Sequence, residues 1–303
     1  MKFVSKKILI YYLALTAFSI CFAESQSNDL LTAKIYLNNG KEIICNVLNI
    51  DKNEIKIQRK IFGGAIANEF YKFDKIKKID LAKPAILTNN LKLTTGSLRK
   101  TKSKAKEAYN LYKPFAKLHG KTWSTETAWL YAKLLENSEN YSSALKIYNR
   151  LAKNKLHQEF KNKTLLRRAV CLYELGSVSN ALPLFTQAYE LAETSDQHAE
   201  INFYLGKIYA QLGEYKKSLF TLLKNEVFYS MRDDWEVKSL DATLFSYAKL
   251  DREKEFVNTC SRITNKFSDT NYSQKAGMYL KEIDKGKTLH ELIQDNHEDF
   301  NHE

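Results

Sequence analysis

The sequence predicts a mainly α protein: a solenoid of stacked helix pairs preceded by a small all-β, barrel-like unit. Three observations carry that expectation. Similar hexapeptides recur every 37 residues, Asn-Tyr-Ser-Ser-Ala-Leu from 140, Ser-Val-Ser-Asn-Ala-Leu from 177 and Glu-Tyr-Lys-Lys-Ser-Leu from 214, which puts Ala144, Ala181 and Ser218 in register. A repeat of that length belongs to stacked units that share a core. Residues 31–81 instead alternate apolar and polar side chains in short runs, the period of a half-buried strand. From Lys104 onward glycine and proline are scarce and fall at joints between helical patterns.

The chain starts with Lys2, Lys6 and Lys7 and no nearby acid, followed by an apolar run from Ile8 to Phe22 and then Ala23. Residues 1–23 therefore read as a signal peptide for export, with the mature chain starting at Glu24. The run from Ile8 to Ala23 is 16 residues, short of the roughly 20 that a membrane span needs. An uncleaved anchor is the alternative, and it is the one way in which a membrane enters this reading. Ile20 before Cys21 is too large for a lipid-attachment site. The net charge of +12 falls to +9 when the three leader lysines are removed, which suits solvated surfaces and anionic partners. Cys45, Cys171 and Cys260 remain, an odd number without the short spacings of a zinc knuckle, so buried free thiols are expected.

In residues 31–81, Ala33, Ile35 and Leu37 alternate up to a hairpin turn at Asn39-Gly40. A long run from Glu42 to Ile50, a turn at Asp51-Lys52-Asn53, and Ile55-Lys56-Ile57 follow. Beyond Gly63-Gly64 come Phe70, Phe73, Ile76, Ile79 and Leu81. About five strands in so short a span predict an antiparallel meander, with closure into a small barrel as the means of hiding its edges. The pattern resembles Sm-like and SH3-like barrels. Residues 82–103, with Pro84, Asn89-Asn90, Thr95-Gly96-Ser97, Arg99, Lys100 and Lys102, read as a basic linker.

Residues 104–285 hold the repeats. Leu205-Gly206-Lys207-Ile208-Tyr209, the turn Gly213-Glu214-Tyr215 and the small residue Ser218 make the clearest unit. Ala169, Leu172, Gly176, Ala181, Phe185 and Ala188 repeat that pattern, as do Ala132, Leu135, Tyr141, Ala144 and Tyr148. Residues 123–268 on this basis resemble tetratricopeptide repeats. The period is longer than the family's usual 34 residues, and Ala128, Leu165 and Asn202 stand where its tryptophan falls. Pro183 lies inside the second helix of its unit. A fourth unit with Tyr247 and Leu250 is offset by one and has lost the small residue. Helices at 104–118 and 272–283 are expected to cap the stack. The tail, residues 286–303, is acidic, carries His290, His297 and His302, and reads as disordered rather than as a metal site.

No nucleophile elbow, His-Glu-x-x-His, phosphate loop or paired cysteine cluster occurs, and His119, His157 and His198 are isolated, so no catalytic, cofactor or metal residue is expected. The family resemblance implies instead a concave face lined by the first helix of each unit. It places Trp129 and Lys133, then Arg167 and Tyr173, then Phe203, Tyr204 and Lys207 in a candidate peptide groove. Aromatic anchors flanked by cations suit an extended or acidic segment of a protein partner. The expectation is an exported, non-catalytic scaffold in a bacterial envelope, periplasmic or envelope-associated. A cell-wall polymer or anionic-surface binder using the β unit and basic linker is the alternative. Nucleic-acid binding is disfavoured by export and by the sparse aromatic and arginine content of the β unit.

Overall fold

The computed structural model describes residues 31–88, 95–153, 158–230 and 234–294. The proposed leader, residues 1–23, lies outside the described residues. The strands are β1 (Leu31–Leu37), β2 (Glu42–Ile50), β3 (Glu54–Lys60), β4 (Ile66–Lys72) and β5 (Ile76–Leu81). They form one antiparallel sheet in the order β4-β3-β2-β1-β5. The alternation read from the sequence sorts the two faces. Ile35, Ile55, Ile57 and Ile79 point inward and lose all exposure. The long run read from Glu42 to Ile50 is β2, and it carries a register shift between Val47 and Asn49.

Closure, however, is achieved differently from the expectation. No ladder joins β4 to β5 among the described residues. The outer edge of β5 is covered instead by a later segment. The Ile79 amide donates to the His119 carbonyl at 2.8 Å and the Leu81 amide to that of Lys121 at 3.0 Å. Tyr112 and Phe115 enter the sheet's core, and the Tyr112 hydroxyl donates to the Ala82 carbonyl at 2.7 Å. A covering segment satisfies an edge as well as a partner strand does.

This changes the expected boundaries. Helix α1 (Thr95–Tyr112) starts inside the stretch read as a linker, residues 82–103, and it ends before residue 118, where Pro114 falls in a tighter turn, Lys113–Lys117. Residues 107–124 belong with the sheet as one compact unit, and 95–106 with 125–294 as the other. Burial of Tyr112 and Phe115 against the sheet decides this, and no local pattern announces it.

The second unit continues with α2 (Ser124–Glu136), α3 (Tyr141–Ala152), α4 (Gln158–Glu174), α5 (Val178–Glu190), α6 (Ser195–Gln211) and α7 (Tyr215–Phe228). It ends with α8 (Trp235–Lys249), α9 (Glu253–Lys266), α10 (Asn271–Asp284) and α11 (Leu289–Gln294). The first helix of each pair stops in the same way. Glu139, Gly176, Gly213 and Asp251 take left-handed backbone at φ 59°, 74°, 77° and 52°. The following amides, of Asn140, Ser177, Glu214 and Arg252, reach back to the carbonyls of Leu135, Leu172, Tyr209 and Tyr247 at 2.8–3.0 Å. This is the six-to-one closure of a Schellman motif, made four times. Ala144, Ala181 and Ser218 are fully buried, as the repeat register requires. In the fourth pair the large side chain of Phe256 stands at the corresponding position, one residue out of the 37-residue register, and is fully buried.

Ala181→Leu is expected to overpack that contact and cost about 1–3 kcal/mol. Thermal unfolding followed by circular dichroism measures it, and an unchanged midpoint would place residue 181 outside the interface.

The tail also departs from expectation. Residues 289–294 are helical, and Leu289, Leu292 and Ile293 pack into the core around α8. Thr288 and Glu291 form a capping box: the Thr288 amide donates to the Glu291 carboxylate at 2.8 Å and the Glu291 amide to the Thr288 hydroxyl at 3.3 Å. The apolar i, i+3, i+4 spacing closes the end of the stack, so acidity alone did not keep this stretch unfolded. His290 binds Asp251 at 2.9 Å, while His297 and His302 lie outside the described residues.

Candidate functional site

The candidate residues all fall on the first helices of their units: Trp129 and Lys133 on α2, Arg167 and Tyr173 on α4, and Phe203, Tyr204 and Lys207 on α6. The stack brings these helices side by side, but it uses most of the candidates internally. Arg167 is 8% exposed. Its guanidinium donates to Glu136 of α2 at 2.9 Å and also binds Glu200 of α6. One arginine thus ties together the first helices of three consecutive units. Glu136 is saturated: Lys133 donates to it at 2.6 Å and the Tyr148 hydroxyl at 3.0 Å. Burial alone would raise the Glu136 carboxyl, but Arg167 and Lys133 outweigh it and hold it below the usual carboxylate range. Burial likewise opposes the charge on Arg167, and the two carboxylates more than restore it.

The aromatic half is equally packed. Tyr204 stacks on Phe185 at 5.2 Å and meets Tyr173 edge-on at 5.3 Å. Phe203 packs on Trp235 of α8 at 5.5 Å. Lys207, 7% exposed, lies over the rings of Tyr173 and Phe203 at 5.6 and 5.4 Å. Burial pushes the Glu174 carboxyl up, against the pull of Lys207 and a hydrogen bond with Tyr204. Lys133 and Lys207 lie 74 residues apart, two periods of the repeat, yet their surroundings differ. Lys133 keeps part of its side chain in solvent, whereas Lys207 is covered.

Arg167, Tyr173, Tyr204 and Lys207 are therefore parts of the interior and do not line an open groove. Trp129, Lys133 and Phe203 remain half-exposed. Trp129 meets Phe160 of α4 edge-on at 6.5 Å, and its indole nitrogen is buried with no hydrogen-bond partner among the described residues. Glu136 and Glu200 escaped the sequence reading. They lie 64 positions apart, not a multiple of 37, so the repeat does not point to them.

Where the family's tryptophan is missing, Asn202 makes a buried polar chain. It donates to Asn225 at 3.1 Å, and Asn225 donates to the Ala199 carbonyl at 2.7 Å and to Ser239 at 2.8 Å. Cys45, Cys171 and Cys260 are free and buried, and burial raises their thiols, Cys45 to about 11 and the others to about 12. No group of His, Cys, Asp and Glu suited to a metal ion occurs among the described residues.

The helical unit has the fold of a tetratricopeptide-repeat solenoid. The apo form of RapI is similar with a TM-score of 0.52 at 18% identity, over 66% of this chain and 58% of that one. Two further matches are YrrB, described as a TPR protein with an unusual peptide-binding site (TM-score 0.42, 15% identity, 61% of this chain and 85% of that one), and residues 41 to the end of MamA from Desulfovibrio magneticus RS-1 (0.45, 18%, 58% and 92%). No family model and no curated protein matches the chain.

Proposed function

We propose that this protein is an exported, non-catalytic scaffold of a bacterial envelope whose repeat stack holds a segment of another protein. The fold supports binding rather than chemistry, because stacked helix pairs present a continuous surface built from successive first helices. One observation carries the site: Trp129, whose ring is half-exposed on α2 and packs edge-on against Phe160 of α4, the arrangement of an anchoring side chain held ready for a partner. Tryptophan is also the side chain most enriched among interface anchors. The leader composition, Lys2, Lys6, Lys7 and the apolar run to Ala23, supports export.

The test is capture of partners from an envelope extract by the native protein, whose N-terminus is expected at Glu24. Trp129→Ala is expected to reduce capture about tenfold or more, as loss of an anchor does. Trp129→Phe keeps an aromatic ring against Phe160 and removes a buried N–H that has no acceptor among the described residues, so it should leave thermal stability unchanged or slightly higher and weaken capture less than alanine does, through its smaller exposed ring. Equal capture by wild type and both variants, with matching circular dichroism, would remove the site from Trp129. Charge reversal at Arg167 or Lys207 is unsuited to this test, because both are interior.

A further inference from the structure

We infer that the outer face of the sheet, led by the turn between β3 and β4, docks onto an anionic phospholipid surface. The apolar side chains there are placed where no core needs them. Phe62 at the tip of the turn is fully exposed at 103%, and Ile44, Ile66 and Phe70 are 72%, 64% and 59% exposed. Register puts the last three on one face. Lys56 lies opposite Phe70 and Lys60 opposite Ile66, while Ile55 and Ile57, between the lysines on β3, point into the core. Ile44 on β2 likewise points away from its buried neighbours Ile43 and Cys45. Phe62 is held out by the turn itself. Gly63 and Gly64 both take left-handed backbone, at φ 80° and 81°, and the Ile61 amide closes on the Ala65 carbonyl at 2.9 Å. Two successive residues in that conformation are tolerated by glycine and by little else.

The charge around these side chains points to the occupant. Lys56, Lys60 and Lys72 border the exposed apolar residues, with Lys56 resting 5.4 Å over the Phe70 ring. Glu69 is turned to the opposite face and spent on Arg59 and Tyr71; of the acids on the outer face, Glu42 is paired with Lys34 and Asp80 with Lys78, and Glu54 lies opposite Lys72, which leaves Lys56 and Lys60 nearest the projecting Phe62 and Ile66. Across residues 31–88 there are eleven lysines and arginines against six acids. A projecting apolar tip within a cationic rim is how a protein engages an anionic headgroup layer: the apolar groups enter the acyl boundary, and each lysine near the surface contributes to attraction.

Flotation of the protein from Glu24 onward, the N-terminus expected after export, with phosphatidylcholine vesicles, with and without phosphatidylglycerol, tests this. Without the apolar leader, retention reads the folded chain and differences between variants read the sheet face. Wild type is expected to prefer the anionic vesicles, and to lose that preference as salt rises. Phe62→Asp/Ile66→Asp and, separately, Lys56→Glu/Lys60→Glu are expected to reduce retention about tenfold with unchanged circular dichroism. Phe62→Trp, which alters only an exposed tip, should gain blue-shifted emission relative to wild type on anionic vesicles alone. Equal retention of wild type and the Asp variant overturns the inference, as does an unshifted emission from the Phe62→Trp variant. Sedimentation velocity supplies the remaining outcome. A dimer dispersed by the Asp substitutions, without a vesicle preference, would assign the face to a second copy and overturn the lipid assignment.

Discussion

Arg167→Met is expected to be the most damaging single change in the stack, costing about 3–5 kcal/mol. Removing one partner of a buried ion pair leaves its counter-charges uncompensated. Here there are two on different helices, Glu136, which keeps Lys133 and the Tyr148 hydroxyl, and Glu200, so the charge left behind falls mainly on Glu200. Methionine keeps much of the arginine's volume, so the loss reports charge rather than a cavity. Denaturant unfolding measures it. Glu200→Gln should cost less alone, and in the Arg167→Met background it should partly restore stability, a coupling that a double-mutant cycle isolates. The pH dependence has a definite sign. The Glu136 carboxyl is lowered in the folded protein, so its contribution is complete at neutral pH, above the ordinary value of 4.5, and is lost on acidification through its lower folded value. Unchanged stability of Arg167→Met would mean that the guanidinium is solvated and free for a ligand, as the sequence alone implied.

Gly206→Val carries the second large effect. A Cβ at Gly206 would sit 2.3 Å from Leu222 Cγ and 2.5 Å from its Cδ2, and Leu222 is buried between α6 and α7. Nothing can shift cheaply, so a loss of about 3 kcal/mol is expected. Leu222→Ala, destabilising by itself, should make the valine less harmful, because it vacates the same space. Gly277 is the control. Its Cβ would find only Thr264 Cγ2 at 3.9 Å, so Gly277→Ala should stabilise α10 by up to about 1 kcal/mol through helix propensity. Thermal unfolding of the two glycine variants in parallel separates close approach from backbone preference. If both lose stability alike, Gly206 is not the contact point.

Much of the fold was legible because it is written in local periodicities. The 37-residue repeat placed Ala144, Ala181 and Ser218 at helix contacts, and strand alternation sorted Ile35, Ile57 and Ile79 inward. Two signals were present but unread. Glu139 and Asp251 occupy the left-handed turn position that Gly176 and Gly213 mark, and Thr288-Leu289-His290-Glu291 spells a capping box inside the acidic tail. The candidate site was legible only as a set of helices. That Trp129, Lys133, Arg167, Tyr173, Phe203, Tyr204 and Lys207 lie on first helices followed from register, but register does not say which side of such a helix meets its neighbour.

The sequence by itself determined the class of architecture, the length of each repeat and the turns between its helices. These depend on interactions within a few residues, where φ, capping and side-chain period are decided. Tertiary structure alone decided that Arg167 would be bound between Glu136 and Glu200, that Lys207 would lie over Tyr173 and Phe203, and that residues 107–124 would complete the sheet unit. A charged side chain reads the same in a sequence whether it faces water or a buried carboxylate. Only packing, by withdrawing the water, makes the difference.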